Sequence, residues 1–418
     1  MPIAHSLLHG TASIGVCGLG FIGTTTALHY ANMGVRVIGY DVDRRKVDLY
    51  KQGACNVINL EEWSGLRLTP YVESEMIRPT DSFGDLSLCP IIFVAVPTEK
   101  DGRPFKGYVD GLVKKLRELP QEPFIVIEST MAPSWAGALG LASGKSVIAP
   151  RRDWFSDPNW SMRNMPRIWW TPPEYREEIE EVLSIVCNKL IYAPNAESAS
   201  LTKAVENALL HAEIAFYQQL SMEFVPRKVD VNWVARAVGT HPRLPTRYPG
   251  IKVGGYCVAL GSEYVSEGST LMTISQEALR TNNTTVLEVA RAVKRFEKIG
   301  ILGITYKNDL KIHTLSAALD FVRLLRGKIC AAHDPYYSPK EIQNILGIDC
   351  SFLYPDALGE FDCLLIVTDH KMYMSTPLWK LKQVLRKDVA IVDNLGVWER
   401  WKEEFPGYRR FGTDELVW

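Results

Sequence analysis

The sequence has no surplus of charge. Its 47 Lys+Arg and 48 Asp+Glu leave a formal net charge of -1, so it carries no electrostatic footprint for nucleic acid or an acidic membrane. Long apolar runs are also missing. The longest are strand-sized, well short of the roughly 20 residues that span a bilayer. Met1 to Thr11 lacks the charged start and apolar middle of a secretory signal and reads as a short loose leader before the first strand. With no targeting signal, the expected location is the cytoplasm. Cysteine pairs are missing too. Cys17, Cys55, Cys89, Cys187, Cys257, Cys330, Cys350 and Cys363 are scattered without a CxxC, which argues against a zinc site or disulfide framework. They read as buried, reduced thiols, with Cys257 the one whose surroundings call for another explanation. No low-complexity segment or tandem repeat interrupts the chain.

What is present is the composition of a globular protein, 46% hydrophobic, 23% charged and 10% aromatic. Its 418 residues exceed one ordinary core and imply two or three domains.

The first legible unit is the strand-like Ser13-Ile14-Gly15-Val16-Cys17, followed by Gly18-Leu19-Gly20-Phe21-Ile22-Gly23. A helical stretch from Thr24 to Met33 leads to a second strand, Val35 to Tyr40, which ends in Asp41. Strand, glycines, helix, strand and an acid about twenty residues on form the complete dinucleotide fingerprint. Gly18 serves the tight turn, Gly20 lets a pyrophosphate approach the backbone, and Gly23 lets helix and strand pack closely. The helix start offers its free N–H groups to phosphate. Asp41 is placed to accept from the adenosine ribose hydroxyls and to repel a 2′-phosphate, which favours NAD over NADP; Arg44 and Arg45 act against that preference. The other reading is a degenerate domain that holds no cofactor.

Further strands are expected at Ile91 to Val96, Phe124 to Glu128 and Ser146 to Ala149. Two of them run into polar loops, Val96-Pro97-Thr98 and Glu128-Ser129-Thr130. Strand C-termini form the ligand crevice of a doubly wound sheet, so Thr98 and Thr130 are either ligand contacts or strand-end caps. From Ala196 to Phe224 apolar residues recur at three and four, which predicts a long helix suited to spacing domains or forming a dimer. Lys203 and Asn207, four apart, share one of its faces, either as functional groups or as a solvated face. In Pro249-Gly250-Ile251-Lys252-Val253-Gly254-Gly255-Tyr256-Cys257, paired glycines let a ligand approach the sulfur. Cys257 is then a nucleophile or a buried inert thiol. A second α/β unit begins near Phe296, with strands at Ile299 to Thr305, Lys328 to Ala332, Cys363 to Thr368 and Val389 to Val392, a helix at Ala317 to Leu325, and no glycine fingerprint.

Together the stretches GLGFIG with YDVD, VAVPTEKDG, IESTMAP, SLTKAVEN with IAFYQQL, PGIKVGGYC, LGITYKND, HDPYYS, FDCLLIVTDH and AIVDNLGVW resemble the UDP-glucose/GDP-mannose dehydrogenase family. The resemblance covers nearly the whole chain, in family order. It implies an α/β fold of two Rossmann-like doubly wound domains joined by a central long-helix dimerisation region. The NAD domain would span 1–195, the central region with the cysteine loop 196–290, and the nucleotide-sugar domain 291–418. The implied activity is oxidation of a sugar's primary alcohol through an aldehyde to a carboxylate, reducing two NAD. Cys257 matches the nucleophile that captures the aldehyde, Lys203 and Asn207 the oxyanion-stabilising pair, and Thr130 the threonine of the EST motif. Gly254, Gly255 and Lys307 match substrate-binding positions. Arg243 resembles the arginine that reaches a neighbouring subunit's substrate. The GGYC form looks more like the UDP-glucose branch, so UDP is preferred to GDP, and a homodimer is implied.

Three departures stand out. Where the family has an aspartate four residues after the cysteine, this chain has Gly261, preceded by Leu260. Glu263 could substitute only if the loop bends differently, and Asp153 is a second place for a re-sited acid. Arg151 replaces the glutamate of the family's Pro-Glu, and added arginines suggest a more anionic substrate. Ile312-His313-Thr314-Leu315-Ser316 replaces an Asp-x-Arg-x-Ser. The assisting carboxylates are lost while the cofactor loop and thiol are kept. Three readings follow: a complete dehydrogenase with a re-sited acid, a repurposed enzyme that stops at the aldehyde or recycles its hydride, and an inactive nucleotide-sugar-binding subunit.

Overall fold

Short runs of branched apolar residues become parallel strands in both halves of the chain. The computed structural model describes residues 1–142, 144–153, 158–348 and 351–417, so Cys350 lies outside the described residues. Two compact units are present, Met1–Glu206 and Asn207–Trp418.

The first unit carries six parallel strands: β1 (Ser13–Cys17), β2 (Arg36–Tyr40), β3 (Ile77–Thr80), β4 (Ile91–Val94), β5 (Phe124–Ile127) and β6 (Ser146–Ile148). Their order is β3-β2-β1-β4-β5-β6, the dinucleotide-binding arrangement, with its switch point between β1 and β4. Gly15 pairs with Ile38 on one side and Ile92 on the other. Alternate strand residues face opposite sides. Cys17, Ile92, Val94, Ile125 and Ile127 share one core, and the intervening Val16, Phe93 and Val126 are equally buried. Burial on both faces explains why these strands are continuously apolar. A small parallel pair follows, β7 (Arg167–Trp169) with β8 (Leu190–Tyr192).

The expected loose leader is instead a short helix, Ile3–Leu8, with Leu7 fully buried. Its apolar Ala4 and Leu7, three apart, give it one inward face. The helix after β1 begins at Phe21, not Thr24, because Gly20 already serves as its N-cap.

The second unit opens within the long helix Ala196–Phe224, whose extent matches the expectation. Ala208, His211, Ala215 and Gln218 form its buried stripe. Helices Val231–Val238, Val258–Ser266 and Thr273–Val293 follow. The second sheet comprises β9 (Lys298–Leu302), β10 (Ile329–His333), β11 (Cys363–Ile366), β12 (Ala390–Asp393) and β13 (Tyr408–Arg410). All are parallel, in the order β10-β9-β11-β12-β13. Ile299, Ile301, Cys363, Leu365 and Val392 face one core. Leu302, Leu364, Ile366 and Ile391 face another. Among the described residues no helix is long and apolar enough to cross a membrane.

Candidate active site

Three glycines shape the turn after β1, for different reasons. Gly18 has φ +97, and a Cβ there would lie 2.5 Å from the carbonyl oxygen of Ala95. At Gly23 a Cβ would strike the carbonyl oxygen of Gly18, so neither can carry a side chain. Gly20 is different: a Cβ would meet nothing within 4 Å. Packing does not require that glycine, but a pyrophosphate lying on the backbone does. Gly20 caps the helix Phe21–Asn32 without any side-chain cap bond, leaving the first N–H groups for an anion. Asp41, 5% exposed, accepts from the N–H of Leu19 (2.8 Å) and of Asp43 (2.9 Å) and pairs with Lys46 (3.2 Å). A carboxylate offers about four acceptor positions, so room remains for a ribose hydroxyl. These residues fit NAD. Arg45 is held by Asp43 (3.0 Å), and Arg44 stands near Asp48 and Asp81 (3.9 and 4.0 Å). The cation beside Asp41 is Lys46, which the sequence reading passed over.

Thr98 and Thr130 come together at the ends of β4 and β5, where the Thr98 hydroxyl donates to the Thr130 carbonyl (2.7 Å). Beneath them lies a buried charge network. Glu128, 1% exposed, accepts from the Thr26 hydroxyl and from Arg167, both at 2.5 Å. Arg151, 4% exposed, donates to Asp153 (2.8 Å), to Thr26 (2.5 Å) and to Thr25 (3.2 Å), and lies 3.8 Å from Glu128. Burial works against the Arg151 charge, but Asp153 and Glu128 more than offset it and lift its pKa. This corrects two expectations. The Arg151 cation is neutralised inside the fold and offers nothing to an anionic substrate. Asp153, committed to Arg151, is not a free acid.

In the second unit the cysteine loop is built onto the loop that follows β9. The N–H of Gly255 donates to the carbonyl of Thr314 (2.8 Å). At Gly254 a Cβ would lie 2.7 Å from the carbonyl oxygen of Leu315 and 2.8 Å from Cβ of Tyr306. Leu315 has a left-handed φ of 55, a strained setting for a side-chain-bearing residue. The divergent stretch 312–316 therefore shapes the cysteine loop. Of the seven described cysteines Cys257 alone is exposed, at the N-cap of the helix Val258–Ser266. Lys307 is close enough for the thiol to act on it electrostatically. Burial lowers its pKa, opposed by Asp369 and Cys257. Cys257, Gly254, Gly255 and Lys307 thus converge.

Glu263 does not join them. Residues 258–266 form a regular helix, so the bend that would bring Glu263 to the place of Gly261 is absent. Arg243 stands exposed in the segment after Val231–Val238.

Sequence reading also missed a polar group at the ends of β9, β10 and β11. Buried His370 lies 3.1 Å from Asp334 through Nε2, and its Nδ1 accepts the N–H of Asp309 (3.0 Å). That bond puts the ring proton on Nε2, facing Asp334. Asp334 also accepts the N–H of Ile304 (2.8 Å). The signal was available: HDP and TDH both fall at strand ends. On the long helix, Lys203 lies 3.9 Å from Glu206, which Arg152 also engages (2.7 Å). One turn on, Asn207 is 7% exposed.

A fingerprint-bearing parallel sheet, a second parallel α/β sheet and an exposed thiol define an NAD-dependent oxidoreductase. Sequence comparison narrows the class. The NAD binding, central and UDP binding domains of the UDP-glucose/GDP-mannose dehydrogenase family match residues 12–141, 197–296 and 300–400, and the chain belongs to that family. It is 24% identical over 406 residues to a UDP-N-acetyl-D-mannosamine dehydrogenase of Pyrococcus horikoshii, covering 90% of this chain and 94% of that one. It is 22% identical over 425 residues to an NDP-N-acetyl-D-galactosaminuronic acid dehydrogenase of Ralstonia solanacearum, covering 92% and 96%. The fold matches the solved structure of a UDP-glucose dehydrogenase from Pyrobaculum islandicum with TM-score 0.80 at 22% identity, over 97% of this chain and 98% of that one. The chain is thus an enzyme of NAD-dependent nucleotide-sugar oxidation.

Proposed function

We propose that the protein oxidises the primary alcohol of a UDP-sugar to the carboxylate, with Cys257 as covalent nucleophile. NAD, when bound, accepts the hydride of each oxidation. The Cys257 thiol adds to the intermediate aldehyde, forming a C–S bond and a thiohemiacetal. Loss of the second hydride, with release of the hydroxyl proton to solvent, leaves a thioester, which water cleaves to release the acid and the thiol. Lys203 and Asn207 hold the developing oxyanion. Lys307 and the backbone of Gly254 and Gly255 bind the sugar beside the sulfur, with Thr130 at the reacting end of the first unit and Arg243 offered to a neighbouring subunit's substrate. In this reading residues 1–195, 196–290 and 291–418 are the cofactor, dimerisation and nucleotide-sugar parts of a cytoplasmic homodimer.

Cys257 carries the proposal, as the exposed thiol on a glycine loop seated against the Lys307 loop. The names of the relatives put UDP-N-acetyl-D-mannosamine beside UDP-glucose at the head of the substrates to test. Gly261 favours a second reading, in which the reaction stops at the aldehyde. The ratio of NADH formed to sugar consumed separates them. Two NADH and a sugar acid, abolished by C257S, are expected. One NADH with an aldehyde would establish the second reading, and binding without any NADH would overturn both.

A further inference from the structure

If thioester hydrolysis takes place, some group must accept a proton from water, and the family's aspartate position is Gly261. Both acids suggested by the sequence are disqualified, Asp153 by its pairing with Arg151 and Glu263 by the regular helix that carries it.

The long helix supplies another base. His211 stands one turn after Asn207, on the stripe that Lys203 begins. It is fully buried, and its Nδ1 lies 2.9 Å from the hydroxyl of Ser262, itself fully buried. Ser262 is the residue after Gly261, on the helix that starts at Cys257. Among the described residues, Nε2 of His211 has no hydrogen-bond partner, and neither does Nδ2 of buried Asn207. Side chains four apart on a helix have Cβ atoms about 5–6 Å apart. One unpaired amide donor and one unpaired ring nitrogen on the same helix face match the needs of a single water, which would accept from Asn207 and donate to His211. Buried polar atoms left unpaired cost stability, so an orphaned pair of complementary character calls for a ligand of this kind.

We infer that His211, oriented by Ser262, is the general base that activates water for hydrolysis of the Cys257 thioester, in place of the aspartate that Gly261 lacks. The inference rests on the proposed dehydrogenase reading. Water attacks the thioester carbon while its proton passes to Nε2. The tetrahedral intermediate collapses with cleavage of the C–S bond. The departing sulfur recovers the proton from the imidazolium, leaving the free thiol and the sugar carboxylic acid, which ionises in water. Nδ1 keeps its hydrogen and donates to Ser262 throughout. Burial holds the His211 pKa down to about 4, in the range of an ordinary aspartate, so the ring is unprotonated at neutral pH.

The test uses the full-length protein with NAD and whichever of UDP-glucose and UDP-N-acetyl-D-mannosamine it oxidises. Wild type, H211Q, H211N and the double variant H211A/G261D are compared by NADH release and by intact mass after acid quench. General-base assistance is worth about 10²–10⁴-fold. H211Q and H211N should therefore release one burst of up to two NADH per subunit and then slow at least 100-fold, with the acyl group retained on Cys257. H211A/G261D, which restores a carboxylate, should clear that adduct and recover turnover. Unaltered steady turnover without an adduct in folded H211Q or H211N would overturn the role of His211 and leave the dehydrogenase reading intact. A wild-type enzyme that stops at one NADH and an aldehyde would overturn it as well, since no thioester would form. No NADH from any UDP-sugar would bring down the dehydrogenase reading itself.

Discussion

Gly255 lies so close to Tyr306 that a Cβ on the glycine would stand 2.6 Å from the tyrosine ring. The contact joins the loop that carries Cys257 to the loop that carries Lys307, and it leaves no space for a methyl group. Gly255 also has φ +78, a conformation that costs a side-chain-bearing residue about 1–2 kcal/mol. Overpacking adds about 1–3 kcal/mol. We expect G255A to lower thermal stability measurably and to cut NADH formation at least tenfold by displacing the thiol. Calorimetry and initial rates check both effects, and a wild-type rate in G255A would show that the two loops need not be held together.

Arg151 supports a prediction about stability. It and Glu128 are almost fully buried, and breaking one partner of a buried ion-pair network costs about 3–5 kcal/mol. R151A should lose stability on that scale in urea unfolding. R151E restores the family's residue but sets a third carboxylate beside Glu128 and Asp153. It should be less stable than R151A and should not raise activity. A stable, more active R151E would mean that this arginine faces substrate.

The sequence and the fold agree best where a residue's reason is local. The fingerprint glycines, Asp41 and the helix Ala196–Phe224 were legible because turn chemistry and periodicity repeat over short spans. The edge strands β3 and β13 were not: Ile77–Thr80 and Tyr408–Arg410 are short and partly polar, so they lack the continuous apolar run of a central strand. The Arg151 network was illegible for another reason. Its partners Thr25, Thr26 and Glu128 lie 126, 125 and 23 positions away, and no spacing rule connects them. His211 falls in the same class. It looks like one more residue on a helix until Ser262, 51 positions on, is found against it.

Mild acid should destabilise the protein through its buried histidines. Burial holds His211, His29 and His333 down at about 4, with Arg151 also lowering His29, against 6.5 for the free side chain. Between those values the unfolded chain binds protons that the folded chain does not, so stability falls as pH falls from about 6.5 towards 4 and is fully retained above that window. Each such histidine contributes at most about 1.4 kcal/mol per pH unit. Asp153 shifts the other way: burial opposes ionisation, but Arg151 holds its pKa below 3.8, so its contribution is lost only at more acidic pH. Melting temperatures from pH 8 to 4.5 should decline below about 6.5, less steeply in H211Q. A flat profile would show that these rings are not held neutral.

Among the described residues, the long helix presents a second face with large apolar side chains exposed. Leu209 and Phe216, seven residues apart, are 61% and 58% exposed, and that spacing puts them on one side of the helix. Trp233 on the helix Val231–Val238 is 60% exposed. Aromatic and aliphatic side chains this large and this close in sequence to a buried stripe are the usual anchors of a protein interface, and a second copy of the chain is the occupant the proposed homodimer supplies. If so, L209E with F216E would desolvate two carboxylates against the same residues of the partner. The double variant should then elute as a monomer in size-exclusion chromatography with light scattering, while wild type elutes as a dimer. A wild-type protein already monomeric at micromolar concentration, or a double variant still dimeric, would remove these residues from the interface and return the exposed helix face to solvent.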